Sequence, residues 1–426
     1  MRLLRIGSNY PVFLHRVYHK YPGLDVSSYA DQQTALMQES FGWADAWKIA
    51  LEPFGYEVWE PVANARPAQA AWAREAGCAF DETEWIAQVT AAQVKAFRPD
   101  ILFVNDYSTF SPDFIRRLRA ECPSIRLIVA WCGAPYPNGD FFKACDLVLS
   151  NIPQLVDHFR AGGLDSEHLH HAFNPVVNER LKGSAHAATD FSFVGSLNTG
   201  NGAHLERERL LVSLADHLDL TVWADVQLPA VRDRIRLRAA SAAYHVLRAA
   251  EGIPGGRALF GRVDRVRRLL DRDAAPSVWD SGFVHPSLAC HIRPPVYGLE
   301  MFAVLAGSKI TLNSHTQISA KNATNMRLFE ATGVGTCLLT EWMPDLGMLF
   351  EADTEVVTYR SAGEAIDKAK YLLEHDTERL RIAEAGQART LKEHTFSRRA
   401  QVLTSLLDRR LRERTLNSRL HPREKP

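Results

Sequence analysis

Lys321, Asn325, Arg327 and Glu330 bring an ammonium, an amide, a guanidinium and a carboxylate into one short stretch. They stand between two apolar runs, Lys309-Ile310-Thr311-Leu312-Asn313 and Gly335-Thr336-Cys337-Leu338-Leu339-Thr340. The stretch reads as strand, loop, short helix, Gly turn and strand. Met326, Phe329 and Ala331 fall at helical spacing, and Gly333 sits where a helix ends. Such a unit makes a right-handed crossover in a parallel sheet. The four polar residues then lie near the carboxyl ends of strands, where open α/β sheets bind ligands. The plainer alternative for Arg327 and Glu330 is a surface ion pair one helical turn apart, worth a few tenths of a kcal/mol. Phe329, Gly333 and Gly335 fit a buried ligand edge better.

Other residues invite chemistry more weakly. Phe191 to Val194 reads as a strand that leads into Gly195-Ser196, a Gly/Asn loop to Gly202 and a helix from His204. Gly195 would let backbone approach a phosphate, and the helix start offers unpaired N–H groups. A plain strand-to-helix turn looks the same. Asp106 follows the apolar strand Ile101 to Val104. A carboxylate there can take a proton, or it can cap the following turn. His15 and His19, in a Tyr/His-rich segment, are further candidates for a base, against the reading as structural histidines. His168 and His170 share a face in a strand, but no carboxylate or Cys has suitable spacing for a metal site. No metal is expected.

Apolar runs and helical patterns alternate along the chain. Strands are expected at Leu3–Ile6, Tyr56–Trp59, Ile101–Val104, Ile125–Trp131, Asp146–Leu149 and His168–His171. A long helix is expected over Ser27–Leu51, and others over Glu82–Phe97, from Ser111 to near Cys122, and over Pro153–Ala161. This alternation predicts a doubly wound sheet. Three loops at strand ends converge in it: Gly7 to His15, Asn105 to Thr109 and Cys132 to Tyr136. After a polar linker a second run of the same kind begins at Phe191. It is interrupted over Val231–Arg272 by an arginine-rich stretch that reads as two amphipathic helices joined by a turn. A basic amphipathic helix can lie on an anionic membrane or partner; a solvated helical face is the plainer reading. The pattern resumes at Pro294 with a helix to about Ala306. It ends in three helices, Ala362–Glu374, Thr377–Glu393 and Ser397–Arg414, and a polar tail.

The 426 residues are too many for one ordinary core and a natural size for two domains. We expect a first domain over 1–175, a linker over 176–190, a second domain over 191–396 with its insertion at about 228–275, and a C-terminal helix and tail over 397–426. Lys+Arg and Asp+Glu both number 50, so no global field attracts nucleic acid or acidic lipid. The six cysteines are scattered, which excludes a zinc ribbon or a disulfide scaffold and suits a reducing cytoplasm. No signal peptide or membrane-spanning run is seen. A cytoplasmic location is expected, with contact at the inner face of a membrane left open through the arginine-rich helices. An early Gly-x-Gly-x-x-Gly, which an NAD enzyme would need, is absent.

The stretch Asn325-x-Arg327-x-Phe329-Glu330-Ala331-x-Gly333-x-Gly335-x-x-Leu338-Leu339-Thr340 resembles the sugar-donor motif of group 1 glycosyltransferases, in the branch of the CgeB-like spore maturation proteins. The resemblance continues through Pro344-Asp345-Leu346 and Ile382 to Gly386 to His394-Thr395-Phe396-Ser397-Arg398-Arg399. It implies the GT-B fold, an α/β architecture of two facing Rossmann-like domains, and a glycosyltransferase acting from a nucleotide-diphosphate sugar on a hydroxyl acceptor (a cell-surface glycan, a glycolipid or a protein). No cofactor is implied beyond the donor co-substrate. Without metal, the leaving diphosphate must be stabilised by cations and N–H donors. The resemblance assigns Arg327 and Lys321 as those cations, Glu330 to the donor ribose, and Gly195 and Ser196 to the loop beside the diphosphate. Asn325 would cap its helix and touch phosphate, Tyr297 would line the nucleotide pocket or serve packing alone, and Asp106 or His15 would be the base. Many retaining relatives pair Glu330 with a second Glu, whose place Leu338 takes here. That leaves the stereochemistry open. Two other readings stand beside this one: a nucleotide-sugar-binding protein that has lost catalysis, and a nucleotide-sugar epimerase.

Overall fold

A computed structural model of the chain describes residues 1–134, 136, 139–183, 188–197, 204–251, 264–270, 272, 275–277, 279, 281–315 and 321–420. Two six-stranded parallel sheets form its frame. The first contains β1 (Arg2–Ile6), β2 (Glu57–Trp59), β3 (Ile101–Val104), β4 (Leu127–Trp131), β5 (Leu147–Ser150) and β6 (Ser166–His168), in the order β2-β1-β3-β4-β5-β6. The second contains β7 (Thr189–Val194), β8 (Leu220–Trp223), β9 (Ile292–Arg293), β10 (Ser308–Asn313), β11 (Cys337–Glu341) and β12 (Val357–Tyr359), in the order β12-β11-β10-β7-β8-β9. The expected α/β architecture of two Rossmann-like halves is what the chain adopts. β3, β4 and β5 are buried along their whole length. Helices cover both sheet faces, so these strands read as unbroken apolar runs. The strand order reverses beside β1 in the first sheet and beside β7 in the second. Ligands bind at such switch points.

The last helix, Phe396–Leu420, returns to the first sheet. Phe396, Ala400, Leu403, Leu407 and Leu411 recur at helical spacing and bury against Leu3, Trp47, Ile101, Phe103 and Leu127. Each buried leucine contributes about 2 kcal/mol. Arg399 fastens this return. Its Nε donates to the carbonyls of His170 (3.2 Å) and His171 (3.1 Å), and its other nitrogens reach the Glu393 carbonyl and His394 Nδ1. Gly333 closes the helix Arg327–Gly333, but its reason is packing: a Cβ there would lie 2.4 Å from the Phe173 ring. The left-handed turn falls at Gly335, with φ 86°.

Several elements differ from expectation. The long helix over Ser27–Leu51 is two helices, Tyr29–Gln38 and Ala46–Leu51. Between them Ser40, Gly42 and Ala44 take positive φ. The break turns Trp43 inward, where its ring meets Trp131 edge-on at 4.8 Å. Two unanticipated helices, Pro11–Lys20 and Arg66–Glu75, each start with Pro in the first turn. The expected linker holds a short helix, Val176–Arg180. β6 ends at His168, so His170 and His171 lie beyond the strand. In the arginine-rich stretch, helices Val231–Glu251 and Asp264–Leu270 form. The turn between them at 252–263, with Arg257 and Arg262, lies outside the described residues, as does the tail after 420. Among the described residues no helix is long and apolar enough to cross a membrane.

Candidate active site

The carboxyl ends of β7, β10 and β11 bring together most of the polar groups that matter. Arg327 begins its helix and reaches back to the end of β7. One terminal nitrogen donates to the Val194 carbonyl at 3.1 Å, and the other lies 3.2 Å from Met301 Sδ. The same guanidinium pairs with Glu330 Oε2 at 2.8 Å. This is the one-turn ion pair of the plainer reading, but it is not a surface pair: the two side chains are only 14% and 11% exposed. Water screens it little.

Asn325 does not cap the helix. The cap position is Met326, which makes no side-chain bond. The Asn325 amide instead donates to Asn313 Oδ1 and the Ser314 carbonyl, both at 3.0 Å, and so pins the end of β10. Lys321 is exposed, in a left-handed conformation (φ 71°), and makes no ion pair among the described residues. Residues 316–320, directly before it, lie outside the described set. Beside it the first half of the chain meets the second: Asn151 Nδ2 donates to the Thr324 carbonyl, and Gln154 Nε2 to Asn322 Oδ1.

Gly195 lies at the end of β7, where its N–H donates to the Trp223 carbonyl at 3.1 Å. Ser196 is exposed, and its carbonyl is taken by Arg207 at 2.9 Å. The rest of the expected loop, 198–203, lies outside the described residues.

Arg207 was not anticipated. It sits in the first turn of the helix Leu205–Ala215 and is 8% exposed. Its second terminal nitrogen donates to the Ser314 carbonyl at 2.7 Å, so one guanidinium ties the loop after β7 to the loop after β10. Among the described residues its Nε has no partner. Burial lowers its pKa to about 10, against the pull of Tyr359 and Glu341, which leaves it charged at neutral pH. Two more residues complete the cluster. Glu341 ends β11 and accepts from the His315 N–H at 3.0 Å; burial raises its pKa, with the His315 and Ser314 bonds and the Arg207 charge opposing. His315 is buried and its pKa is pushed down to about 4 by burial, so the ring is neutral, with Nδ1 unpartnered among the described residues. In sequence, Arg207 lies between Glu206 and Glu208 and reads as part of a solvated helix. Only its place after Gly195-Ser196 could have marked it.

The N-terminal candidates fare differently. Asp106 is buried at the end of β3. Its carboxylate accepts from the Ser8 hydroxyl, from the Ser108 hydroxyl at 2.8 Å, and from the N–H groups of Ser108 (3.1 Å) and Thr109 (2.9 Å). Burial would raise its pKa, but these bonds outweigh burial and hold it below the usual value. A carboxylate so engaged fastens loops and is a poor proton acceptor, which favours the turn-capping reading over the base. His15 is exposed on the helix Pro11–Lys20, its ring 6.4 Å from that of His19. Tyr297 sits where the two halves of the chain meet. Its ring meets Tyr10 and Phe41 of the first half, each at 6.1 Å, with the Arg16 guanidinium 5.2 Å from its centroid. Gly298 next to it has φ 54°, and a Cβ there would lie 2.1 Å from the Glu39 carbonyl. Tyr297-Gly298 therefore joins the halves. Among the described residues no three His, Cys, Asp or Glu side chains gather as a metal site would require.

Residues 242–405 match the family model described as glycosyl transferase-like. The chain is a glycosyltransferase-like enzyme. The match takes in Lys321, Asn325, Arg327 and Glu330, and leaves out Arg207 and the first half. Among solved structures, the enzyme is similar to sucrose-phosphate synthase from Thermosynechococcus elongatus, at 10% identity over 96% of this chain and 98% of that one, with a TM-score of 0.50. It also aligns with α,α-trehalose 6-phosphate synthase from Burkholderia multivorans, at 12% identity over 98% and 99% of the two chains, with a TM-score of 0.49. The first likeness shows the GT-B fold. No curated protein gives a significant match.

Proposed function

We propose that this glycosyltransferase moves a sugar from a nucleoside-diphosphate sugar to a hydroxyl acceptor (a cell-surface glycan, a glycolipid or a protein), without a metal. The observation that carries the reading is the convergence of two buried guanidiniums, Arg207 and Arg327, on the ends of β7 and β10. In the transfer the bond from C1 to the diphosphate breaks and a bond from C1 to the acceptor oxygen forms. The departing diphosphate gains charge, and cations placed beforehand in a poorly solvated site stabilise that charge. Arg327 offers a planar fork and the exposed Lys321 a mobile point charge. Arg327 holds Glu330 through Oε2, which leaves Oε1 for the donor ribose.

The acceptor falls to the first half, where a small cavity lined by Gly7, Ser8, Phe41 and Asn105 opens at the β1/β3 switch point. His15 is the base in this reading. It is exposed on the helix after β1, next to Arg16, which reaches the Pro295 carbonyl at 2.5 Å. The assignment to the CgeB-like branch, on the run from Asn325 to Thr340, is part of the same proposal.

The test is a thermal-shift panel with UDP, GDP, dTDP and CMP, each with Mg2+ and with EDTA. A ligand at 100 times its dissociation constant stabilises by about 2.7 kcal/mol. We expect one nucleotide to raise the melting temperature equally in both buffers. No shift with any of the four would remove the donor reading, and a shift only with Mg2+ would remove metal independence.

A further inference from the structure

The Val231–Glu251 helix plays no part in the site described above, and its surface is unusual. It carries no Gly or Pro, and its first turn is set by Asp233, whose carboxylate accepts from the Ala230 N–H at 3.1 Å. One face packs. Tyr244 is buried, its hydroxyl donates to the Arg272 carbonyl at 3.3 Å, and Leu237 and Leu247 are half-buried beside it. On the other side Val231, Ile235, Ala239, Ala242, Val246 and Ala249 are all exposed, Val231, Ile235 and Val246 by 65%, 61% and 68%. At about 100° per residue these six positions fall in one stripe roughly 80° wide. Arg232 and Arg236 flank it on one side, Arg234 and Arg238 on the other, all four exposed. Among the described residues no carboxylate pairs with Arg234, Arg236 or Arg238, and the nearest to Arg232 is Asp233 at 3.8 Å.

We propose that this face docks on an anionic lipid surface. A solvated helical face would be polar. Here a continuous exposed stripe is apolar, and the cations lie at its edges. That is the arrangement of a helix lying in a membrane interface, with its apolar stripe among acyl chains and its arginines reaching up to lipid phosphates. Charge complementarity fixes the sign of the surface: each arginine near an anionic leaflet contributes about fivefold to binding. The chain's formal net charge is zero, so the attraction is local to this helix. A nucleic acid would satisfy the arginines and leave the stripe in water.

The helix leaves the sheet after the carboxyl end of β8, the end at which Gly195 and Arg327 also lie. Docking would hold the donor half's strand ends beside the lipid surface. The inference rests on the helix alone and is independent of the transfer reading.

Co-sedimentation of the full chain with vesicles tests it, using phosphatidylcholine alone and mixed with phosphatidylglycerol, with heparin binding measured in parallel. We expect sedimentation with the anionic vesicles only. Arg232→Gln with Arg236→Gln should weaken it roughly 30-fold. Val231→Ser with Ile235→Ser and Val246→Ser should weaken it about tenfold or more while heparin binding persists. All five side chains are exposed, so melting temperatures should match the parent and keep the comparison clean. Failure of the parent to bind anionic vesicles overturns the proposal. So does unchanged vesicle binding by the serine variant, which would make the helix a polyanion-binding face.

Discussion

Around the ends of β1 and β3 in the first sheet, buried polar groups are matched to one another. Asp106 takes hydrogen bonds from Ser8, Ser108 and Thr109, and Arg5 Nε meets Glu60 at 2.5 Å while another nitrogen donates to the Ala44 carbonyl. At the strand ends of the second sheet the same kinds of residue are left with capacity to spare. Among the described residues Arg207 keeps an unpartnered Nε and His315 an unpartnered Nδ1, in a cluster that also holds Arg327, Glu330 and Glu341. Both sheets have the same parallel build and a switch point beside their first strand. An unsatisfied buried polar group costs free energy, and natural structures keep few of them. The difference suits groups that hold loops at the first sheet and, in the proposed function, groups kept for a ligand at the second.

The largest expected effect tests this at paired arginines. Arg327→Ala should lower kcat/KM about a thousandfold, the scale of losing a donor aimed at developing charge. It also strands Glu330, so stability should fall by about 3 kcal/mol. Arg5→Ala strands the buried Glu60 and should cost stability on the same scale, about 3 kcal/mol; Arg5 also lines the acceptor cavity, so the comparison is read with the acceptor saturating, where kcat/KM for the donor should be unchanged. Arg327→Lys separates the two roles by keeping charge without the fork. We expect it to recover much of the melting temperature and little of the kcat/KM. If Arg5→Ala and Arg327→Ala fell together in activity per folded molecule, the contrast between the sheets would be lost.

Arg207 sharpens the contrast within the second sheet. Arg207→Met fills similar volume without its bonds to the Ser196 and Ser314 carbonyls. Hydrogen bonds from charged donors contribute about 1.5–3 kcal/mol each. If the bonds order the two loops around the donor, KM for the donor should rise by roughly 10- to 100-fold while kcat falls less than in Arg327→Ala, because two of the guanidinium nitrogens are spent on backbone carbonyls. Steady-state kinetics with the donor varied reads this split. An unchanged donor KM would detach the loops from donor binding.

How much of this was legible in sequence depended on how local the cause was. β3, β4 and β5 could be read because strands buried on both faces are continuous apolar runs. The crossover from β10 through Arg327–Gly333 to β11 could be read because strand, helix and glycine signals follow one another without interruption. The break at Ser40–Ala44 could not, because Phe41, Trp43 and Trp47 continue the apolar pattern through it, and only backbone angles mark it. Tyr297 was left between lining a pocket and packing because its partners Tyr10, Arg16 and Phe41 belong to the other half of the chain. Asp106 was left between two readings for the same reason: the Ser8 hydroxyl that helps settle it comes from the loop after β1.

The smallest expected effect is at Asp106, and its smallness is the point. Asn in its place keeps one acceptor oxygen for Ser108 and Thr109 but cannot accept the Ser8 hydroxyl with its amide nitrogen. Asp106→Asn should therefore cost about 1 kcal/mol of stability and change kcat less than about threefold. The pH dependence gives a second check. The folded carboxyl titrates below its ordinary value, so its stabilising contribution is present above the unfolded value of about 3.9 and is lost as pH falls through the lower folded value. The gap in melting temperature between parent and variant should thus stay constant from neutral pH down to about pH 5 and close below about pH 4. A base would behave in the opposite way, losing kcat by orders of magnitude with the acid limb of stability unmoved. That outcome would make the first sheet's strand end chemical after all and erase the distinction between the two halves.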